Sequence, residues 1–245
     1  MERKRAFLIA LMFTILIAGN YLIFSYNPPQ RELVTVARVI DGDTLVLEDG
    51  RTIRLLNINS PEKSTPFYTL SLNYLKPLEN NSIELEVTGV DKYSRTLARI
   101  YNPEYVNLNL VLDGLATKFL VHSSEIKDFA EAEKYAIENS FGIWEHSQYY
   151  GCFTAEIDAE DEKITLINAC GPLNLKDWII SDESSKTYKF YSINLNKITL
   201  HSEIGEDNED QIYWNSKRNI WNNDRDTFYL FDSEGKIAHH QAYGY

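Results

Sequence analysis

Residues 33–59 read LVTVARVIDGDTLVLEDGRTIRLLNIN. Val34, Val36 and Ile40 stand among polar neighbours, the alternation of a half-buried strand. Leu45-Val46-Leu47 and Ile53-Arg54-Leu55-Leu56 are two further runs of the same kind, separated by a segment containing Asp49-Gly50. That dipeptide between such runs predicts a hairpin with a two-residue turn. Two more strands are expected over Ile83–Val90 and Thr96–Tyr101.

Outward from this stretch the period changes. Helical spacing occurs around Tyr68–Leu75, around Val106–Asp113, and from Ser124 to Asn139. In the last segment Phe129, Ala132 and Ala136 make an apolar stripe, with Ser124 as the expected N-cap. Five strands with intercalated helices predict a mainly β unit, an OB-fold β-barrel with packed helices, over residues 33–148. Residues 149–245 read as all-β: short runs rich in Ile, Leu, Phe, Tyr and Thr, broken by Gly, Asn and Asp.

The chain has 245 residues, enough for one or two domains, each able to bury a core. Its 44% hydrophobic and 13% aromatic content exclude a disordered chain. There are 24 Lys and Arg against 36 Asp and Glu, a net charge of −12. That excludes coating nucleic acid by bulk charge, but not gripping one phosphate locally. Residues 31–148 carry twelve basic and eighteen acidic groups, and residues 149–245 carry nine and seventeen.

The N-terminus is the exception, with Arg3, Lys4 and Arg5 ahead of an apolar run from Ala6 to Tyr26. Twenty-one residues can cross a hydrocarbon core of about 30 Å. The part from Ala6 to Ala18 is also the length of a signal-peptide core, though no Ala-x-Ala site follows. Residues 1–26 are therefore a signal anchor, an N-terminal hydrophobic helix in the membrane, or a cleaved signal peptide. Residues 27–32 form a short stiff linker. Basic residues stay cytoplasmic, so the rest of the chain is expected outside, membrane-anchored or secreted. The two cysteines fit that compartment. A hairpin centred near Asp161 sets Cys152 opposite Cys170, as a disulfide needs; two buried free thiols are the alternative.

Three charged clusters punctuate the first unit: Ile40-Asp41-Gly42-Asp43-Thr44; Arg54-Leu55-Leu56-Asn57-Ile58-Asn59-Ser60-Pro61-Glu62; and Asp91-Lys92-Tyr93-Ser94-Arg95. Each alone reads as a solvated turn or an exposed strand position. Together they form the set that phosphodiester hydrolysis needs. Asp41 and Asp43 are oxygen ligands for a hard cation. Arg54 and Arg95 can grip phosphate oxygens in bidentate fashion. Glu62 can accept a proton from water. The five His are scattered, and no zinc-type Cys/His spacing occurs.

In this order the motifs resemble the staphylococcal-nuclease-like (thermonuclease) family, from about Val34 to Glu145. The likeness extends to Asn107, Leu110-Val111, Gly114-Leu115-Ala116 and Gly142-Ile143-Trp144. The resemblance implies an OB-fold enzyme that cleaves DNA and RNA with Ca²⁺ and leaves 3′-phosphates. It also implies the roles: Asp43 as main metal ligand, Asp41 orienting metal-bound water, and the Ser60 backbone carbonyl as a further ligand. Arg54 and Arg95 clamp phosphate, Glu62 positions or deprotonates the attacking water, and Lys92 and Tyr93 contact nucleotide phosphate. Asn59 stands where the family has a second metal-binding Asp, which implies weaker or altered metal binding. Phe119-Leu120-Val121-His122 replaces a stretch that often carries nucleotide-stacking tyrosines.

The second unit resembles the lamin-tail domain, an Ig-like β-sandwich. The blocks are Ile164-Thr165-Leu166-Ile167-Asn168, Leu173-x-Leu175-x-x-Trp178-x-Ile180-x-Asp182, Ile198-Thr199-Leu200-His201, Trp221-Asn222-Asn223-Asp224-x-Asp226-Thr227 and Leu230-x-Asp232-x-x-Gly235. The resemblance implies an accessory binding module of unknown ligand. Trp178 and Trp221 read as core packing, and Asp224-Arg225-Asp226 as a turn salt bridge, with a cation site as the alternative. The expected whole is an exported or membrane-anchored, Ca²⁺-dependent nuclease. The alternative is a catalytically impaired surface protein that binds nucleic acid or serves adhesion.

Overall fold

The computed structural model describes residues 7, 11, 12, 14, 30–63 and 67–245. The anchor or signal expected over residues 1–26 lies outside the described residues but for those four positions. Among the described residues, no helix is long and apolar enough to cross a membrane.

Strands β1 (Glu32–Val39), β2 (Thr44–Leu47), β3 (Thr52–Leu55), β5 (Ser82–Val90) and β6 (Thr96–Tyr101) close a barrel in the order β1-β2-β3-β6-β5. All pairs are antiparallel except β3 and β6. Alternation along the strands sends Val36, Leu45, Leu47, Ile53, Leu55, Ile83, Leu85 and Ile100 inward. Helices α1 (Tyr68–Leu75), α2 (Val106–Leu112) and α3 (Ile126–Glu138) cover this core with Leu75, Leu110, Val111 and Phe129. The mainly β barrel with packed helices is thus the observed fold.

Two local expectations are corrected. The β2–β3 loop is not a two-residue turn. Gly50 N–H donates to Leu47 O at 3.0 Å and Leu47 N–H to Arg51 O at 2.9 Å, which leaves a three-residue loop. Gly50 sits at φ 88°, the left-handed position that ends a type I turn in a bulge. Nor does Ser124 cap α3. The residue before the helix is Glu125, and the Ser124 hydroxyl is taken by the His122 ring at 2.9 Å. The Glu125 carboxylate instead binds Asn57 and Arg99 of the barrel, tying the helix start to it.

The second unit is a two-sheet sandwich. One sheet has the order β15-β14-β9-β8, from β8 (Phe153–Asp158), β9 (Lys163–Asn168), β14 (Lys197–His201) and β15 (Gln211–Tyr213). The other has the order β12-β11-β16-β17, from β11 (Ile179–Ser181), β12 (Thr187–Lys189), β16 (Asp226–Phe231) and β17 (Ile237–Tyr243). A short pair, Leu173–Asn174 with Asn194–Leu195 (β10 and β13), closes one side. Ile164, Leu166, Ile198 and Leu200 meet Ile180, Phe228 and Leu230 across the core, with Trp178 and Trp221 buried between them. The β8–β9 hairpin turns between Asp158 and Lys163. Its open end is closed by a Cys152–Cys170 disulfide with an S–S distance of 2.08 Å. The bond removes chain freedom from the unfolded state over its loop.

The barrel and the sandwich are packed on one another. A third apolar cluster joins Ala136, Ile137, Ile143 and Trp144 of the first unit to Tyr229 and Ile237 of the second. Ile237 N–H donates to Glu145 O at 2.8 Å, and Ser147 N–H to Ile237 O at 2.9 Å. Beside this cluster lies a buried ionic seam. The barrel's Lys118, on the short strand β7 (Thr117–Lys118), is 1% exposed. Its ammonium group is 2.8 Å from Glu133 Oε2 of α3, 3.6 Å from Glu183 Oε2 of the sandwich, and also donates to Thr227 Oγ1. The Tyr229 hydroxyl donates to Glu133 Oε1 at 3.0 Å, and Tyr245 to Glu183 Oε2 at 2.6 Å. The expected Asp224-Arg225-Asp226 salt bridge does not form among the described residues. Arg225 instead donates to Val121 O, again across the seam, and Asp226 accepts backbone N–H groups of Asn222, Thr227 and Glu183.

Candidate active site

The barrel mouth is built by the β1–β2 turn, the strand β3 with the segment after it, and the β5–β6 turn. The turn Ile40–Thr44 is tight, with Ile40 N–H donating to Thr44 O at 2.9 Å. Gly42 must be glycine there: a Cβ would lie 2.4 Å from Ser71 Cβ and 2.8 Å from Ser60 Cβ. This close approach clamps the turn against Ser60 and α1. Asp41 Oδ1 accepts the Asp43 N–H at 3.0 Å. Asp43 is 6% exposed, and its Oδ2 accepts the Ser60 N–H at 2.8 Å while Oδ1 accepts the Thr44 hydroxyl.

Thr44 pairs with Arg54 across the β2–β3 hairpin, so the two motifs meet by strand register. Arg54 is 9% exposed. Its Nη1 donates to Leu55 O at 2.7 Å and Ile58 O at 2.8 Å, and its Nη2 to Asn59 Oδ1 at 3.1 Å. Nη2 also lies 3.3 Å from Asp43 Oδ2. Four oxygens thus fix one guanidinium. Ile58 and Asn59 form strand β4, which pairs with β7: Ile58 opposite Lys118, and Asn59 opposite Thr117. The Asn59 amide also reaches the sandwich, donating through Nδ2 to Ser185 Oγ at 2.8 Å.

The parallel β3–β6 pair sets Arg54 beside Leu97, so Arg95, two residues earlier on β6's side of the pair, is near enough for its charge to act on Arg54. Asp91 holds Arg95 within its own turn: Oδ2 accepts Arg95 Nε at 2.8 Å, and Oδ1 accepts the N–H groups of Arg95 and Tyr93. Partial desolvation pulls the Asp91 carboxyl upward, but these bonds prevail and hold it below the usual carboxylate range. Arg54 is shifted down by burial, with Arg95 pushing the same way and Asp43 and Asp41 opposing. Lys92 and Tyr93 are exposed, the Lys92 ammonium lying 5.0 Å from the Tyr93 ring centre. Glu62 is exposed, two residues beyond Ser60.

The structure therefore gathers Asp41, Asp43, Arg54, Asn59, Ser60 and Arg95 at one mouth. Lys92, Tyr93 and Glu62 lie on exposed segments attached to it. Among the described residues, no group of three or more His, Cys, Asp or Glu side chains is placed to hold a metal ion. Two carboxylates do lie together. Burial, and next the Asp43 charge, raise the Asp41 carboxyl above its ordinary value. A hard divalent cation relieves such a pair, so the donor set fits one.

Residues 52–146 match the staphylococcal nuclease homologue family. The match covers both arginines, Asn59, Ser60, Glu62 and the turn with Lys92 and Tyr93. Asp41 and Asp43 precede it and join it through the hairpin. No curated protein matches the chain. The matched residues stop at 146, so the likeness of the sandwich to lamin tails rests on its sequence blocks.

The reading from sequence missed the seam. Glu133 carried a signal, since it falls four residues after Phe129 on the apolar stripe of α3. Lys118 was a charge inside an apolar segment. Ser185 carried none, because its contact with Asn59 spans 126 residues of chain.

Proposed function

We propose that the barrel hydrolyses phosphodiester bonds of DNA and RNA with Ca²⁺ or another hard divalent cation. The buried, fourfold-anchored Arg54 beside Asp43, within reach of the Arg95 charge, carries this reading. Arg54 is oriented before substrate arrives, so its fork costs little to arrange around a phosphate. Arg95, half-exposed on its turn, reaches the charge that develops on the equatorial oxygens. Glu62 takes the proton of the attacking water. The water oxygen bonds to phosphorus, the bond to the 5′ oxygen breaks, that oxygen takes a proton from solvent and leaves as a hydroxyl, and a 3′-phosphate remains. Asp41 and Asp43, with the Ser60 carbonyl and the Asn59 amide oxygen, would hold the cation, which supplies charge neutralisation at the phosphate.

Both units are acidic, so capture of a polyanion depends on Arg54, Arg95, Lys92 and the cation. A single strand enters such a mouth more easily than a duplex. The sandwich is an accessory binding domain of lamin-tail type, its ligand undefined, and the residues after the N-terminal segment lie outside the cytoplasm.

The test is cleavage of single-stranded DNA by the full chain, with calcium, with calcium plus chelator, and with Glu62→Gln. Cleavage that needs the metal and falls in the variant supports the nuclease. Absent cleavage with retained binding of DNA favours the impaired surface-binding protein, for which Asn59 in place of a carboxylate is the motivation.

A further inference from the structure

We propose that Ser185, on a loop of the C-terminal sandwich, is a positioning residue for the barrel's phosphate site, acting on Arg54 through the Asn59 amide. This role rests on the nuclease reading above and deepens it: the sandwich becomes part of the catalytic unit.

The amide of Asn59 has two unlike ends. Its oxygen must face Arg54 Nη2, a donor, and its nitrogen must face an acceptor. Ser185 Oγ, 2.8 Å from Nδ2, is that acceptor. With both ends bonded, the amide has one orientation, and the oxygen it offers to the site is fixed. With the serine hydroxyl removed, the nitrogen end is left to water, and the amide swings on its own side-chain bonds.

The loop that presents Ser185 is built for precision. Asp182 is 2% exposed, and its Oδ1 accepts the Lys186 N–H at 2.7 Å. Its Oδ2 accepts the Ser184 hydroxyl and the Lys186 ammonium group. Ser185 N–H closes the turn on Asp182 O at 3.2 Å. Ser185 itself has φ 65°, a left-handed backbone that a serine adopts only when its surroundings hold it there.

A second route leads from the sandwich to the same place. Lys118 is locked in the seam by Glu133, Thr227 and Glu183. Its strand β7 pairs with β4, and the Thr117 hydroxyl donates to Asn59 O at 3.2 Å. Strand β4 supplies the Ile58 carbonyl and the Asn59 amide that hold Arg54, and the Ser60 N–H that holds Asp43 follows it. The sandwich therefore braces β4 from behind through Lys118 and from the side through Ser185.

The experiment uses the full chain and three variants: Ser185→Gly, Ser185→Ala and Asn59→Asp. Glycine removes the hydroxyl and keeps the left-handed backbone, which alanine strains. Cleavage of single-stranded DNA gives kcat and KM. Two-dimensional NMR follows the Asn59 side-chain NH₂ signals, assigned by their loss in Asn59→Asp. The expected result is a kcat about threefold to tenfold lower in Ser185→Gly, the worth of one neutral hydrogen bond. KM stays near wild type, and the Asn59 NH₂ signals shift in both Ser185→Gly and Ser185→Ala. Wild-type kcat in Ser185→Gly overturns the proposal. So does a loss of kcat confined to Ser185→Ala, which reports backbone strain and not the hydroxyl. If the wild-type chain cleaves nothing, the nuclease reading fails by itself. The NH₂ signals then decide the positioning contact: a shift in Ser185→Gly upholds it, and unmoved signals overturn it.

Discussion

The barrel mouth and the seam both bury charge, and they treat it differently. At the mouth Arg54 is held by carbonyls, an amide and one carboxylate, on a face that opens outward beside Asp41, Arg95 and exposed Lys92 and Tyr93. At the seam one ammonium group meets two carboxylates and a hydroxyl, all inside, with the Tyr245 ring centre 4.1 Å from it. The mouth keeps its cation oriented, and the seam satisfies its cation fully. A buried charge is therefore no mark of catalysis. What separates the two is whether the surroundings leave a side open to a ligand.

The largest expected effect lies at the seam. Lys118→Met strands Glu133 and Glu183 together without their cation, and should cost about 3–5 kcal/mol of stability in urea unfolding. A loss below about 1 kcal/mol, the range of a solvated pair, would mean that the seam is as open as the mouth.

Next comes the mouth. Arg54→Ala should lower kcat on single-stranded DNA by about 10²–10³-fold, the scale of one transition-state donor. Its urea midpoint should fall less than that of Lys118→Met. Unchanged kcat would make the arginine a structural residue and erase the contrast.

The smallest effect is a slope with pH. Burial pushes the Glu183 carboxyl up to about 7, with Asp226 and Glu133 adding to the rise and Lys118 and the Tyr245 hydroxyl opposing it. The folded state then binds a proton that the unfolded state has released. Its contribution to stability is full below the ordinary glutamate value of about 4.3 and is lost as pH rises toward 7. Glu183→Gln should remove that decline, so the stability of the variant relative to wild type climbs between those limits. Parallel curves would show that Lys118 keeps Glu183 ionised throughout.

The contrast also explains what the amino-acid order could disclose. The barrel was legible because strand alternation and helical spacing are local. The mouth was legible because its three charged clusters each sit within a few residues, and strand pairing needs only to bring them together. The seam joins Lys118 to Thr227 and Glu133 to Tyr229, pairs 109 and 96 residues apart, so no window contains it. The misplaced helix cap has the same root. Ser124 has the right chemistry, but an imidazole two residues earlier competes for its hydroxyl. The hairpin loop differed by one residue because Asp-Gly serves both turn types, and the bulge is settled by the fit of the strands.

Strand β16 faces two interiors at once. Phe228 and Leu230 point into the sandwich core, while Thr227 and Tyr229 point into the seam and onto Trp144, whose ring centre is 5.0 Å from that of Tyr229. A wall shared by two rooms cannot be taken down for one of them alone. The chain is expected to melt in a single cooperative step. A protease cut near residue 148 should leave the halves associated, and the barrel should not behave as a portable cassette that can be grafted elsewhere without its neighbour.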